Sequence, residues 1–254
     1  MDGNRRFAKT SGMKTAEGHL AGFSTLEDTL NWSLKLGVKC VTVYAFSVEN
    51  FKRPQEEVDN LMELAEEKFN AFAHNSDFIK KNEISVRVLG ELELLPPKIR
   101  KAAINVTKST SHHKNAIFNI CFPYTSFLEI EDAALEIING IKSNDINKDD
   151  VSEEFFNKLL YTGDCPPVDI LIRTSGEIRF SDFLLWQCSD KCSVHFLDCY
   201  WPDFSFWDML PIILQFQALF TPLKEESNPL PNAKITEFLE KIRLKKRLQG
   251  EELH

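Results

Sequence analysis

The 254-residue chain lacks any apolar run long enough to cross a bilayer, for which a helix needs about 20 mostly apolar residues. Its most apolar helical stretch, 208–220, is interrupted by Asp208, Pro211, Gln215 and Gln217. A core helix is the expected fate of that stretch, with a position at a membrane surface as the alternative. Positive charge is also scarce: 30 Lys and Arg face 38 Asp and Glu, a net charge of −8. With no basic cluster carrying interleaved aromatics, this argues against a nucleic-acid binder working by bulk electrostatics. The six cysteines (Cys40, Cys121, Cys165, Cys188, Cys192, Cys199) contain no CxxC pair and no spacing of the structural zinc kind. No secretory apolar region opens the sequence, so reduced thiols in the cytosol are expected. No internal repeat is visible.

What is present is a sequence with 43% hydrophobic content, long enough for one large domain with a full core. Runs rich in β-branched and aromatic residues at 38–46, 84–89, 116–122, 168–172 and 194–197 are nearly continuous in apolar character, as strands buried on both faces are. Helical periodicity fills 18–36, 55–73, 97–107, 127–141 and 204–220. Pro54 ahead of Gln55, Glu56 and Glu57 places proline and acids at a helix start, where a missing donor costs nothing and the macrodipole favours negative charge. This alternation predicts an α/β fold: a single domain over 1–222 with a central, mostly parallel sheet flanked by helices. A polar loop at 143–150, a Pro-rich link at 223–232 and a charged helix at 235–254, which packs on another chain or frays, complete the expectation.

Two segments carry chemistry. The opening Met1-Asp2-Gly3-Asn4-Arg5-Arg6 joins a carboxylate suited to a hard cation, a flexible glycine and two planar guanidinium forks, the parts of a site for a metal-bound polyphosphate. Taken alone it also reads as a solvated turn. Far downstream, Arg173, Thr174, Ser175, Gly176, Arg179 and Ser181 follow an apolar strand, and Ser181-Asp182 has the look of a cap opening a helix over 183–187. A diphosphate there would meet two guanidinium groups and a helix N-terminus. In a parallel sheet such residues fall at the carboxyl ends of strands, where ligands bind; Ser47, Glu49, Asn50 and Arg53 do so after the first strand.

The blocks MDGNRRFA, GHLAG, YAFSVENFKRP, FNICFPY, DILIRTSGEIRFSDFLLWQ and DCYWPDF, in that order between Met1 and about Leu214, resemble the cis-prenyltransferase family. That family includes bacterial undecaprenyl diphosphate synthase and the eukaryotic dehydrodolichyl diphosphate synthases, whose fungal members the DGNRR and FNICFPYT segments resemble most. The resemblance implies Mg2+-dependent condensation of isopentenyl diphosphate onto an allylic diphosphate such as farnesyl diphosphate, giving a long-chain polyprenyl diphosphate for dolichol synthesis and protein glycosylation. It makes 1–222 the catalytic domain. By the same resemblance Asp2 is catalytic and beside the metal, and Asn4 is catalytic. Gly3, Arg5, Arg6, His19, Ser47, Asn50, Phe51 and Arg53 belong to the allylic diphosphate site. Arg173, Arg179 and Ser181 belong to the isopentenyl diphosphate site. Glu49 orients its loop or is simply an exposed acid.

The sequence also departs from the bacterial members. Thr15 stands where they carry a basic residue four positions before the histidine, so positive charge at the allylic diphosphate must come from elsewhere, such as Arg5 or Arg6. Cys192 stands nearest to the position of their downstream acidic metal ligand, and Asp190 is off register. The C-terminal Arg-x-Gly of single-subunit members is absent from 244–250. This implies a heteromer with a Nogo-B-receptor-like accessory subunit, at the cytosolic face of the endoplasmic reticulum or on lipid droplets, in peripheral membrane contact. The rival from another class is a non-catalytic scaffold subunit of the same complex. In the family an apolar strand runs into the residues matching Met1 and Asp2, so the expectation is that Met1 is internal to a longer chain and that Asp2 sits on a fraying end.

Overall fold

The computed structural model describes residues 1–219 and 233–248. Strands β1 (Cys40–Tyr44), β2 (Ile84–Leu89) and β3 (Ala116–Cys121) form a parallel sheet in the order β1-β3-β2, with Val43 and Val88 flanking Ile120. Strands β4 (Ile170–Arg173) and β5 (Ser193–Phe196) form a second parallel pair. All five expected strands are present and every pairing is parallel. The expected single sheet is instead divided, with no ladder joining the two parts among the described residues.

Successive side chains of a strand point to opposite faces, and the first sheet is covered on both. One face sends Val43, Val86, Val88, Phe118 and Ile120 into a core built with Leu26 and Leu30 of α2 (Thr15–Lys35), Val58, Met62 and Phe69 of α3 (Gln55–Asn70), and Ala103 and Val106 of α5 (Pro97–Thr110). The other face turns Tyr44, Leu89 and Cys121 toward Leu171, Phe183 and Leu184. Burial on both sides is why these strands read as continuous apolar runs rather than alternating ones.

Helix boundaries follow local capping. The Glu17 carboxylate accepts the Lys14 N–H at 2.7 Å, which starts α2 three residues earlier than its apolar periodicity. Thr125 caps α6 (Ser126–Lys142) by accepting from Leu128 N at 3.4 Å, and Ser152 caps α7 (Glu153–Leu159) by accepting from Phe155 N at 3.2 Å. The short helices α1 (Asn4–Thr10), α4 (Asp77–Lys81) and α7 were not anticipated. In α1, the segment expected to form a phosphate loop becomes a first helical turn immediately after Gly3.

Three expectations are corrected. Residues 183–187 form turns rather than a helix, because Ser181, Asp182 and Leu184 hold positive φ (51°, 58° and 46°), a conformation that cannot propagate a right-handed helix. The polar groups of this segment serve α6 instead: the Asp182 carbonyl accepts from Ser126 N at 2.9 Å and its carboxylate from Phe127 N at 3.2 Å. Helix α8 (Phe206–Leu219) is a core helix on one side only, burying Met209 and Ile212 while Trp207, Leu214 and Leu219 stay exposed. No described helix is long and apolar enough to cross a membrane.

The third correction concerns α9 (Ala233–Leu248), which packs on its own chain. Ile235, Phe238, Leu239 and Ile242 are buried against Ala133 and Ile137 of α6 and Phe155 and Leu159 of α7, and Lys241 pairs with Asp145 at 2.7 Å. Gly140 makes room for Phe238, whose ring lies 2.7 Å from where a Cβ would be. The Pro-rich link at 223–232 and residues 249–254 lie outside the described residues. Truncating Phe238 to Ala should lower the free energy of unfolding by about 3–5 kcal/mol, the range for a buried phenylalanine. Urea denaturation of the pure chain measures it, and an unchanged midpoint would show that α9 is not docked here in solution.

Candidate active site

The backbone of Asp2 is held by groups from two distant loops. Its carbonyl accepts hydrogen bonds from Trp201 N (3.0 Å), Thr174 Oγ1 (3.0 Å) and Ser175 Oγ (2.7 Å). Asp2 is therefore tied to the 174–175 loop and to Trp201, partners that the expectation of a fraying end did not include. Its carboxylate accepts from Gly3 N at 2.7 Å and from Arg173 Nη2 at 3.1 Å, with Arg6 Nη2 3.7 Å away. Burial pushes this carboxyl up, but the Arg173 hydrogen bond and charge, with the Gly3 N–H, outweigh it and hold the pKa below the usual carboxylate range, as cationic neighbours and hydrogen bonds to the charged form do. Gly3 adopts φ 102°, and a Cβ there would lie 2.2 Å from Ser175 Oγ and 2.9 Å from the Tyr200 ring. The glycine thus lets α1 seat against the 174–176 loop.

Arg173, the last residue of β4, donates to Ser181 Oγ at 2.8 Å and to the Arg179 carbonyl. The Arg179 side chain is mostly exposed and pairs with Glu177, which Arg6 also meets at 3.1 Å. Ser175 and Gly176 both have positive φ, and their N–H groups donate to the Cys199 and Leu197 carbonyls at 2.8 Å each. The loop after β4 is tied in this way to the segment after β5. Arg6 also lies over the Tyr200 ring at 5.6 Å, so it joins this group rather than that of Arg5.

A second cationic group gathers around Glu57, near the start of α3. Arg53 Nη1 lies 2.9 Å and Arg5 Nε 3.7 Å from its carboxylate. His19 is close to all three, and its pKa is lowered, first by burial and then by Arg53 and Arg5, against the raising effect of Glu57. Arg5 thus stands in the neighbourhood for which Thr15 left positive charge unassigned. Ser47 and Asn50 cap each other's turn: Asn50 Oδ1 accepts from Ser47 N at 3.1 Å, and Ser47 Oγ accepts from Glu49 N at 3.2 Å. Glu49 pairs with Lys52. Phe51 packs on Phe46, with ring centroids 4.9 Å apart, and does not line the cleft.

Both groups face one cleft of about 1200 Å³ at the carboxyl ends of β1 and β4, lined by every site residue that the family resemblance implies except Phe51, while Thr174, Ser175 and Gly176 lie outside its lining. A narrower apolar cavity of about 110 Å³ shares Met1, Asn4, His19, Ala45 and Leu61 with it and runs on between Phe23, Leu26, Phe69, Phe72 and Phe122. Where they meet, Asn4 Oδ1 and His19 Nε2 are buried without a hydrogen-bond partner, a condition that a polar ligand relieves. Sequence reasoning assigned no role to Glu57, Glu177 or Tyr200. Glu57 was legible only as a helix-start acid, although Arg53 and Glu57 at i,i+4 could have signalled the pair.

Among the described residues no three His, Cys, Asp or Glu side chains converge as a metal cage. The ionised, partly open Asp2 carboxylate fits Mg2+, which commonly takes one or two carboxylates and completes its shell with water and substrate phosphate.

A family model described as "Putative undecaprenyl diphosphate synthase" matches residues 1–220. The human dehydrodolichyl diphosphate synthase complex subunit is 45% identical over 225 residues, which span 89% of this chain and 67% of that protein. A Schizosaccharomyces pombe subunit of the same name is 43% identical, over 87% of this chain and 84% of its own length. Among solved structures, lavandulyl diphosphate synthase from Lavandula x intermedia, in complex with dimethylallyl diphosphate, superposes with a TM-score of 0.78 at 27% identity, over 87% of this chain and 93% of that one. Parallel strands flanked by helices, the cleft at their carboxyl ends and these matches agree: the chain belongs to the undecaprenyl diphosphate synthase family, prenyltransferases of the cis-polyprenyl diphosphate synthase type.

Proposed function

We propose that this chain is the catalytic subunit of a dehydrodolichyl-type synthase, condensing isopentenyl diphosphate repeatedly onto an allylic diphosphate, farnesyl diphosphate, to give a long-chain polyprenyl diphosphate. The observation that carries the reading is the pair of cationic groups in one cleft, Arg173 with Ser181 at one end and Arg5, His19 and Arg53 at the other, opening onto an apolar cavity. Two diphosphates and one growing hydrocarbon need those three environments. The names of the human and fission-yeast relatives as complex subunits support an accessory partner, assigned here to the Nogo-B-receptor-like class.

In the reaction, the allylic C–O bond breaks, diphosphate leaves with the electron pair, the alkene of isopentenyl diphosphate attacks the allylic cation to form the new C–C bond, and the resulting cation loses a proton to the released diphosphate, forming the new double bond. No covalent nucleophile is required, so the protein acts by positioning and by stabilising charge. Arg5 and Arg53 neutralise the leaving diphosphate, while His19, kept neutral by burial, offers Nε2 as a hydrogen-bond partner. Arg173, Arg179 and Ser181 hold the diphosphate of the acceptor. Asp2, ionised beside Arg173, would hold Mg2+ against the diphosphate oxygens. Bound there, the ion neutralises phosphate charge as a Lewis acid.

Replacing Asp2 by Asn keeps the shape and removes the charge, and should lower turnover by about 10²-fold or more with only a modest fall in the unfolding midpoint, from loss of the charge on the Arg173 bond. Incorporation of labelled isopentenyl diphosphate with farnesyl diphosphate and Mg2+ reads it; turnover within about twofold of the parent would sink the assignment. The same assay with the accessory subunit added should raise the rate, whereas a chain already at full rate alone argues against the heteromer.

Burial of neutral His19 also has a pH signature. Its folded pKa lies below the ordinary histidine value of about 6.5, so the unfolded chain binds the proton more tightly. The contribution of neutral His19 to stability is whole above about 6.5 and is lost as pH falls toward the folded pKa. Between about pH 7.5 and 5.5 the parent should lose stability faster than a His19→Asn variant, as measured by urea midpoints. Parallel slopes would show that His19 is not buried neutral.

A further inference from the structure

On the face of the first sheet away from the helical core, Thr42 of β1, Asn119 of β3 and Arg87 of β2 stand in one register row, with Cys40 two residues before Thr42. Asn119 is wholly buried, and its Nδ2 lies 3.1 Å from Thr42 Oγ1, 3.5 Å from Cys40 Sγ and 3.4 Å from Cys165 Sγ. Its Oδ1 has no partner. Arg87 Nη1 lies 3.6 Å from Cys165 Sγ and 2.7 Å from the Asp164 carboxylate, and the Asn119 amide nitrogen brings the two thiols beside one another. Both cysteines are partly accessible. Neither lines the cleft or the apolar cavity.

We propose that Cys165 and Cys40 form a thiol–disulfide exchange site, Cys165 attacking and Cys40 resolving, whose oxidised form covalently joins the two sheets. Cys40 opens β1, and Cys165 lies in the connection that leads into β4. The two sheets share no ladder among the described residues, so the link would close the end of the structure opposite to the one that Asp2 ties.

Two features select Cys165 as the attacking sulfur. The adjoining Cys40 thiol, the Asn119 amide and the charge of Arg87 favour its thiolate, bringing its pKa down to about 7 against the effects of burial and Asp164, while the Cys40 thiol is pushed up. A thiol titrating near ambient pH is the best placed for exchange. At the other pair, Cys188 and Cys192, the charge acting on Cys192 is that of Asp169 and opposes its thiolate.

The co-reactant is a low-molecular-weight disulfide. The Cys165 thiolate attacks one of its sulfurs, a mixed disulfide forms, and the first small thiolate leaves and takes up a proton. Cys40 then loses its proton to water and attacks the Cys165 sulfur, and the second small thiolate leaves. Two protein thiols are oxidised and one small disulfide is reduced to two thiols.

The test treats the reduced whole chain with glutathione disulfide, followed by intact mass and peptide mapping without reductant. The expected product is two hydrogens lighter and carries a Cys40–Cys165 cross-link. Its unfolding midpoint should rise by about 5 °C or more, as a bridge closing a long loop constrains the unfolded chain. In Cys40→Ser, a single glutathione adduct should accumulate on Cys165 about tenfold faster than on any other cysteine, the gain expected from a thiolate favoured by about one pKa unit. Arg87→Gln should slow that step severalfold. A link confined to Cys188 and Cys192, no link at all, or equal labelling of the other cysteines overturns the proposal. The mapping of the parent chain needs no variant, so a misfolded mutant does not decide the outcome. Turnover is not read, which keeps the result separate from that of the proposed reaction.

Discussion

The structure depends on what is done with the carbonyl oxygen of one residue. Asp2 offers that oxygen to Trp201, Thr174 and Ser175, which belong to the loops after β5 and β4, while Met1 packs beside the core of the other sheet. A buried carbonyl must find donors, and here the donors come from the half of the molecule that carries Arg173. The same residue that could serve the metal thereby fixes the distance between the two halves of the cleft. Its carboxylate adds a charge-assisted bond to Arg173, of the kind that is stronger than a neutral pair.

Trp201 extends this tie. Its indole N–H donates to the Gly22 carbonyl at 2.7 Å, so a single side chain connects α2, which carries His19, to the loop that holds Asp2. Gly18 and Gly22 allow the contact: a Cβ at Gly22 would lie 2.3 Å from Asn4 Oδ1, and one at Gly18 would lie 2.4 Å from the Asn4 carbonyl. The GHLAG segment is therefore a packing device as well as a carrier of the histidine. Glycines one turn apart on α2 let α1 lie close enough for Asn4 to reach the mouth of the apolar cavity.

Much of this was legible in the sequence. Strands buried on both faces announce themselves as apolar runs, and the carboxyl-end rule put Ser47, Arg53 and Arg173 at one edge before any geometry was known. What escaped has identifiable causes. Helix α1 lies among the same residues as the motif, and the chemistry of Asp2-Gly3-Asn4 reads equally as a turn. Residues 181–187 carry a cap signature, but Ser181 and Asp182 spend their positive φ and hydrogen bonds on α6, a tertiary partner that no local pattern names. Phe51 stands inside a functional motif yet serves the core, because an aromatic ring one position from a polar one points elsewhere. The seat of α9 depends on the absent side chain of Gly140, and an absent atom leaves no periodic signal.

Glu57 gives the cleft a property that a list of cations would miss. Arg5 and Arg53, on different elements, converge on one carboxylate that is itself largely buried. Arg6 and Arg179 likewise share Glu177. Mutually repelling guanidinium groups are in this way assembled before any anion arrives, each pair wrapped around an internal stand-in for phosphate. In the proposed reaction an incoming diphosphate would exchange with a carboxylate and meet guanidinium groups that are already gathered, which reduces the ordering that opposes binding. In the proposed reaction the same carboxylates would take the arginines back when the diphosphate departs, which would serve release at each round of elongation as well as capture.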